Sequence, residues 1–185
     1  MNNEIANNRS KILKLAKMGM LAAISIVLVV FIHFPIIPGF AFLEYDPADI
    51  PILIGAFAYG PAAGIALTVV VAVIQGTTVS AAGGIWGIIM HIIATGTLVA
   101  VAGGIYKFKK SKKAAIVALI AGAVSMTVIM CFANVIITPI YTGWPREAVM
   151  AIIIPAIAPF NLIKAGANAV ITFVLYKRIS RFLHK

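Results

Sequence analysis

Apolar residues run through this chain in long uninterrupted blocks, neither alternating as in half-buried strands nor confined to one helical stripe. No charged side chain occurs in residues 18–43, 50–106 or 114–145. One helical crossing of a bilayer takes about 20 residues, so the middle block is too long for a single span and must fold back on itself. Breakers mark the turns: Gly60-Pro61 inside the middle block, the glycine-rich stretch 76–84, and residues 138–146 with Pro139, Gly143 and Pro145. These divisions predict helices at about 13–34, 47–59, 61–76, 84–106, 114–137 and 148–177, with an outer loop at about 35–46. The second and third are shorter than an ordinary crossing, which fits spans shielded by their neighbours.

Composition turns the pattern into a class. Hydrophobic residues make up 62% of the chain and charged residues 11%, with a mean hydropathy of +1.07, far outside the soluble globular range. The expected fold is an all-α integral membrane protein with six transmembrane helices and no soluble domain. The net charge of +10 does not point to nucleic acid, because all but two of the 15 basic residues sit in three clusters at the ends of apolar blocks. Arg9, Lys11, Lys14 and Lys17 precede the first block; Lys107, Lys109, Lys110, Lys112 and Lys113 interrupt the middle; Lys177, Arg178, Arg181 and Lys185 close the chain. The positive-inside rule puts all three clusters in the cytoplasm, which requires an even number of crossings before the middle cluster and another even number after it; four and two fit best, with both termini cytoplasmic. Leu21 begins an apolar stretch without a small-residue cleavage site, so the first helix is expected to stay rather than leave as a signal peptide. The single Cys131 allows neither an internal disulfide nor a cysteine-based metal site.

The two remaining basic residues lie elsewhere, and one is buried in a span. Counting back from Lys177 at about 1.5 Å per residue, Lys164 stands about 20 Å up in an apolar core about 30 Å thick. The same count puts His33, Gln75, His91, Asn134 and Asn161 at about 22–32 Å, so the strongly hydrogen-bonding side chains share the outer level. An intramembrane lysine costs roughly 2.5–3.5 kcal/mol on insertion scales and normally faces a cavity or a partner. Asn161, Lys164 and Asn168 follow the i, i+3, i+7 stripe of one helix face, just after Pro155 and Pro159, which remove backbone donors. A cavity there is one reading; a lysine snorkelling outward, with asparagines bonding between helices, is the other. The loop before the second helix adds Phe40, Phe42, Leu43 and Tyr45 beside Glu44 and Asp46, which suits either a lid over the outer mouth or an interfacial aromatic belt. Glu44, Asp46, Asp49 and Glu147 against Arg146 make the outer loops net acidic, and no carboxylate is expected at the depth of His33 or His91.

The run Leu43-Glu44-Tyr45-Asp46-Pro47-Ala48-Asp49-Ile50-Pro51, followed by Gly60-Pro61, resembles the first-loop and second-helix signature of the riboflavin-specific S components of energy-coupling factor (ECF) transporters. Asn134 late in the fifth helix and the Asn161-x-x-Lys164 pair in the sixth look like the polar flavin contacts of that family, and the likeness extends over essentially the whole chain. It implies a membrane subunit that captures riboflavin from outside and hands it to a transmembrane coupling protein with two cytoplasmic ATPase subunits. The implied substrate-binding set is Asn134, Asn161, Lys164, Leu43, Tyr45, Asp46, Phe42, Gln75 and Thr78. The implied coupling-protein contact is a small-residue face on the first helix, best matched by Gly19-x-x-x-Ala23 with Ala16 nearby. No cofactor or metal is expected, since riboflavin is cargo, and the partners are that module and the lipid bilayer.

Chemistry apart from the resemblance narrows the rivals. No G-x-x-x-x-G-K-[ST] loop is present, so the chain is not by itself an ATP-driven pump. No H-E-x-x-H or G-x-S-x-G run suggests an intramembrane enzyme. An S component for another vitamin remains open, thiamin being attractive to an acidic mouth but repelled by Lys164. A self-sufficient secondary transporter also remains, without evident inverted repeats.

Overall fold

The computed structural model describes residues 2–183, with side chains described for residues 7–176 and 178. The basic residues Lys177 and Arg181 therefore have no described side chain, and Lys185 lies outside the described residues. The helices are α1 (Asn2–Phe31), α2 (Asp49–Tyr59), α3 (Pro61–Thr77), α4 (Gly84–Phe108), α5 (Lys112–Thr142), α6 (Arg146–Ala151) and α7 (Ala158–Leu183). Segments Asn7–Phe31, Ala81–Phe108, Lys112–Thr142 and Ile153–Tyr176 are long and apolar enough to cross a membrane, while α2 and α3 are shorter apolar helices.

The breakers act through backbone chemistry. Gly60, at φ 94°, takes a conformation that side chains resist, and Pro61 starts α3 where a helix has no use for its missing N–H. Ser111 caps α5 by accepting the Ala114 N–H at 3.2 Å, and Gly143 ends it in the left-handed region, its N–H reaching Pro139 O. Between α6 and α7 the chain widens into a π-helical turn, Ile153–Ile157. Pro155 has no N–H to offer, and Ile152 O instead accepts from both Ala156 N and Ile157 N at 3.0 Å. The last helical region, expected as one helix, is thus α6, a π turn and α7.

Burial explains how short α2 is accommodated. Every residue from Asp49 through Ala58 is buried, with α1, α3, α4 and α7 all packed around the helix. By contrast α3 turns Ala63, Gly64, Leu67, Thr68, Val71, Ala72 and Gln75 inward and leaves Ile65, Val69, Val70, Val73 and Ile74 exposed. Exposed apolar faces also run along α1, α5 and α7, the arrangement that suits lipid rather than water. Small residues set the helix spacing: a Cβ on Gly122 of α5 would stand 2.9 Å from Leu98 O of α4, so only glycine permits that approach.

Between α1 and α2 the chain forms a two-strand hairpin, β1 (Phe34–Pro35) with β2 (Glu44–Tyr45), pairing Phe34 with Tyr45 and Pro35 with Glu44. Leu43 is buried against Ala156 and Phe160, with Ile36, Ile37, Phe40 and Ile152 around them. The Phe42 ring meets Trp144 edge-on at 6.2 Å. The loop therefore lies folded onto the π turn and the start of α7.

Candidate binding site

Beneath the hairpin lies a cavity of about 530 Å³. Phe42 and Leu43 of the loop, Gln75 at the end of α3, Trp86, Met90 and His91 of α4, Met126, Met130 and Asn134 of α5, and Phe160, Asn161 and Lys164 of α7 all line it. Flat or flexible apolar side chains supply most of the wall and a few polar groups converge on it, the usual constitution of a small-molecule site.

The polar wall is organised by two aspartates. Lys164 Nζ donates to Asp46 Oδ2 at 2.7 Å, and Gln75 Nε2 approaches the same oxygen at 3.4 Å. Asp46 Oδ1 accepts the Ala48 N–H at 3.1 Å, which fixes the carboxylate at the entrance to α2. Asp49, fully buried, accepts from Thr95 Oγ1 at 2.6 Å and from Asn168 Nδ2 at 3.0 Å. Asn168 also donates to Asp46 O at 3.1 Å and accepts from the Tyr45 hydroxyl at 3.0 Å. Burial opposes charge on the Asp46 carboxyl, but the adjacent Lys164 ammonium and the hydrogen bonds from Lys164 and Ala48 outweigh it and hold the group below its ordinary pKa.

This arrangement corrects two expectations. Asp46 and Asp49 are not decoration on an acidic mouth: they are 2% and 0% exposed, turned inward because the start of α2 is enclosed by its neighbours. A buried carboxylate also stands near His91, with Asp49 Oδ1 4.0 Å from Nε2. Lys164 thus has a protein acceptor, and snorkelling does not describe it. His33 is exposed, one ring nitrogen 3.1 Å from Val29 O, and takes no part in the cavity.

Of the residues named from sequence, Asn134, Asn161, Lys164, Leu43, Phe42, Asp46 and Gln75 share the cavity. Tyr45 stands behind it on Asn168, and Thr78 is exposed and turned back on its own helix, its hydroxyl donating to Ile74 O at 2.6 Å. Asn134 and Asn161 each donate to the carbonyl one turn earlier, Met130 O and Ile157 O, at 2.8 Å. Sequence reasoning left out Trp86, Met90, Met126, Met130, Tyr141 and Phe160. A signal existed: Met126, Met130 and Asn134 recur every fourth residue on α5, the spacing of one helix face. Ala16, Gly19 and Ala23 are all exposed on α1, the helix that leads into the hairpin.

A profile of the family "ECF transporter, substrate-specific component" matches residues 13–176. The chain belongs to that family. This S component is 31% identical over 191 residues to "Riboflavin transporter RibU" of Staphylococcus aureus (strain TCH60), covering 100% of both chains. It is 29% identical over 184 residues to "Riboflavin transporter FmnP" of Bacillus subtilis (strain 168), covering 95% of this chain and 96% of the relative. Among solved structures it resembles the S component of a bacterial ECF transporter, with a TM-score of 0.78, 32% identity, and coverage of 93% of this chain and 98% of the other. ThiT from Listeria monocytogenes shares the fold, with a TM-score of 0.65, 18% identity, and coverage of 94% and 98%. The family is one of transporter components rather than enzymes.

Proposed function

We propose that this S component captures riboflavin in the cavity under the hairpin and delivers it to an ATP-driven coupling module. The carrying observation is the cavity itself. Its volume of about 530 Å³ lies inside the roughly 300–1,000 Å³ typical of small-molecule sites. Trp86, Tyr141 and Phe160 offer apolar faces for a tricyclic ring, and Lys164, Asn161, Asn134 and Gln75 offer groups for its carbonyls and ring nitrogens and for ribityl hydroxyls. Two relatives matched over nearly their whole length carry riboflavin in their names, which supports the same cargo here.

The protein acts in the bacterial cell membrane with six crossings, α6 to α7 counting as the last, and with both termini cytoplasmic. The loop at residues 35–46 serves as the lid. The module consists of a transmembrane coupling protein and two ATPase subunits, met by the exposed α1 face at Ala16, Gly19 and Ala23. A bulky residue at Gly19, where an added Cβ meets nothing within 4 Å, leaves riboflavin binding intact and abolishes ATP-dependent uptake; loss of both together removes this assignment. Thiamin loses one objection, because Asp46 neutralises the lysine that argued against a cation. Protein purified from riboflavin-fed cells decides the cargo: a bound-flavin absorption spectrum is the expected result, with bound radiolabelled riboflavin displaced by unlabelled riboflavin and not by thiamin. Colourless protein that binds thiamin overturns the proposal.

A further inference from the structure

The charges around the cavity are matched in pairs, with one left over. Asp46 and Lys164 form an ion pair at 2.7 Å. His91 lines the wall 4.0 Å from Asp49, so any proton it holds is answered by that buried carboxylate. Arg146 and Glu147 follow each other at the start of α6, both exposed and outside the lining. Glu44 remains. It lines the cavity from β2, half-buried, and among the described residues its carboxylate has no hydrogen-bond or ion-pair partner. Its neighbours on the strand are committed elsewhere, Leu43 against Ala156 and Phe160 and the Tyr45 hydroxyl to Asn168. A cavity of about 530 Å³ has the volume of a sphere about 10 Å across, so cargo inside it lies within about that distance of Glu44. Two unit charges of like sign about 10 Å apart in a partly wet protein site repel enough to change an equilibrium by about tenfold.

We propose that Glu44 is a specificity-determining residue that selects cargo by charge: as the one uncompensated charge among the described residues of the wall, it lets a neutral flavin in and rejects the flavin's phosphate monoester. That monoester, flavin mononucleotide, carries about −1.5 to −2 at neutral pH, and a cleft with low-dielectric walls focuses the field of a single carboxylate. Glu44 acts through this field and needs no contact with the ligand. The inference rests on the flavin reading above and adds to it which form of the flavin the cavity refuses.

A charge series at this one position tests it. Riboflavin and flavin mononucleotide are each titrated by flavin fluorescence into wild type, Glu44→Gln, Glu44→Lys and, as a control outside the lining, Glu147→Gln, with thermal unfolding as a check on folding. The wild type prefers riboflavin by about tenfold or more at low salt, and the preference narrows as salt is raised. Glu44→Gln tightens binding of the mononucleotide about tenfold and Glu44→Lys tightens it further, while Glu147→Gln keeps the wild-type preference. A gain of affinity graded with charge cannot come from damaged packing. The salt dependence needs no substitution and stands even where a variant does not fold. Equal wild-type affinity for the two flavins, a preference indifferent to salt, or one unchanged along the Glu44 series overturns the proposal while leaving flavin binding in place. A wild type that binds neither flavin overturns the reading beneath it and the proposal with it.

Discussion

The two ends of the bundle are built from different materials. At the hairpin end, helices stand apart around a cavity, and buried polar groups from α2, α3, α4 and α7 meet at Asp46 and Asp49. At the opposite end no such network is needed, because side chains fill the space. Phe57 of α2 stacks on Tyr106 of α4 at 4.3 Å and meets Tyr176 of α7 edge-on at 5.3 Å. Gly64 of α3 lets Ala56 and Val99 close in, and a Cβ there would stand 2.6 Å from Ala56 Cβ. The close-packed end holds the helices in register, which allows the other end to keep a hollow lined with desolvated charge. A hollow without that anchor would collapse, and a bundle packed throughout would have nowhere to hold cargo.

Substitutions at the two ends should therefore separate stability from binding. The largest effect is expected from Lys164→Met, which removes one partner of a buried pair and leaves Asp46 uncompensated. Breaking such a pair costs about 3–5 kcal/mol, seen as a lowered unfolding temperature, and riboflavin binding weakens about ten- to hundredfold as a charge-assisted bond is lost. Retained wild-type affinity in a folded Lys164→Met protein would remove Lys164 from the site, and the same result in Asn161→Leu as well would remove α7. Next comes Gly64→Leu, which overfills the contact with Ala56 and Val99 at a cost of about 1–3 kcal/mol. Its unfolding temperature falls while the affinity of the folded fraction stays unchanged; a matching fall in affinity would mean that the two ends are not separable. Asn161→Leu reverses the pattern, with about a tenfold loss of affinity, the size of one or two neutral hydrogen bonds, and little change in unfolding temperature. The smallest effect is that of Tyr176→Leu, about 1 kcal/mol from the lost ring contacts, with riboflavin titration unaltered.

The same contrast governs how much could be read from sequence. Punctuation residues carry their meaning locally, so Gly60-Pro61 and Gly143 announced the turns that the backbone makes there. Depth was also legible, since rise per residue puts Gln75, His91, Asn134, Asn161 and Lys164 on one level, and the fold brings all five to one cavity. Rotation was not legible. His33 was counted to the same level but stays exposed, and Tyr45 and Thr78, expected at the site, bond to Asn168 and Ile74 O instead of lining the cavity. Least legible was the Asp46–Lys164 pair, whose members are 118 residues apart. An aspartate in a loop looks solvated until folding lays that loop against α7, and the hairpin that does so is only two residues long on each strand.

The central claim, that riboflavin occupies the hollow end, can be read from within the cavity. The chain has two tryptophans; Trp86 lines the cavity, and Trp144 lies outside its lining, against Phe42. In a Trp144→Phe variant the remaining indole reports on the cavity wall alone. Titrating that protein with riboflavin should quench Trp86 emission saturably, reaching completion at one flavin per chain, with thiamin causing no change. Unquenched Trp86 at saturating riboflavin, in protein whose unfolding temperature matches the wild type, would contradict the account.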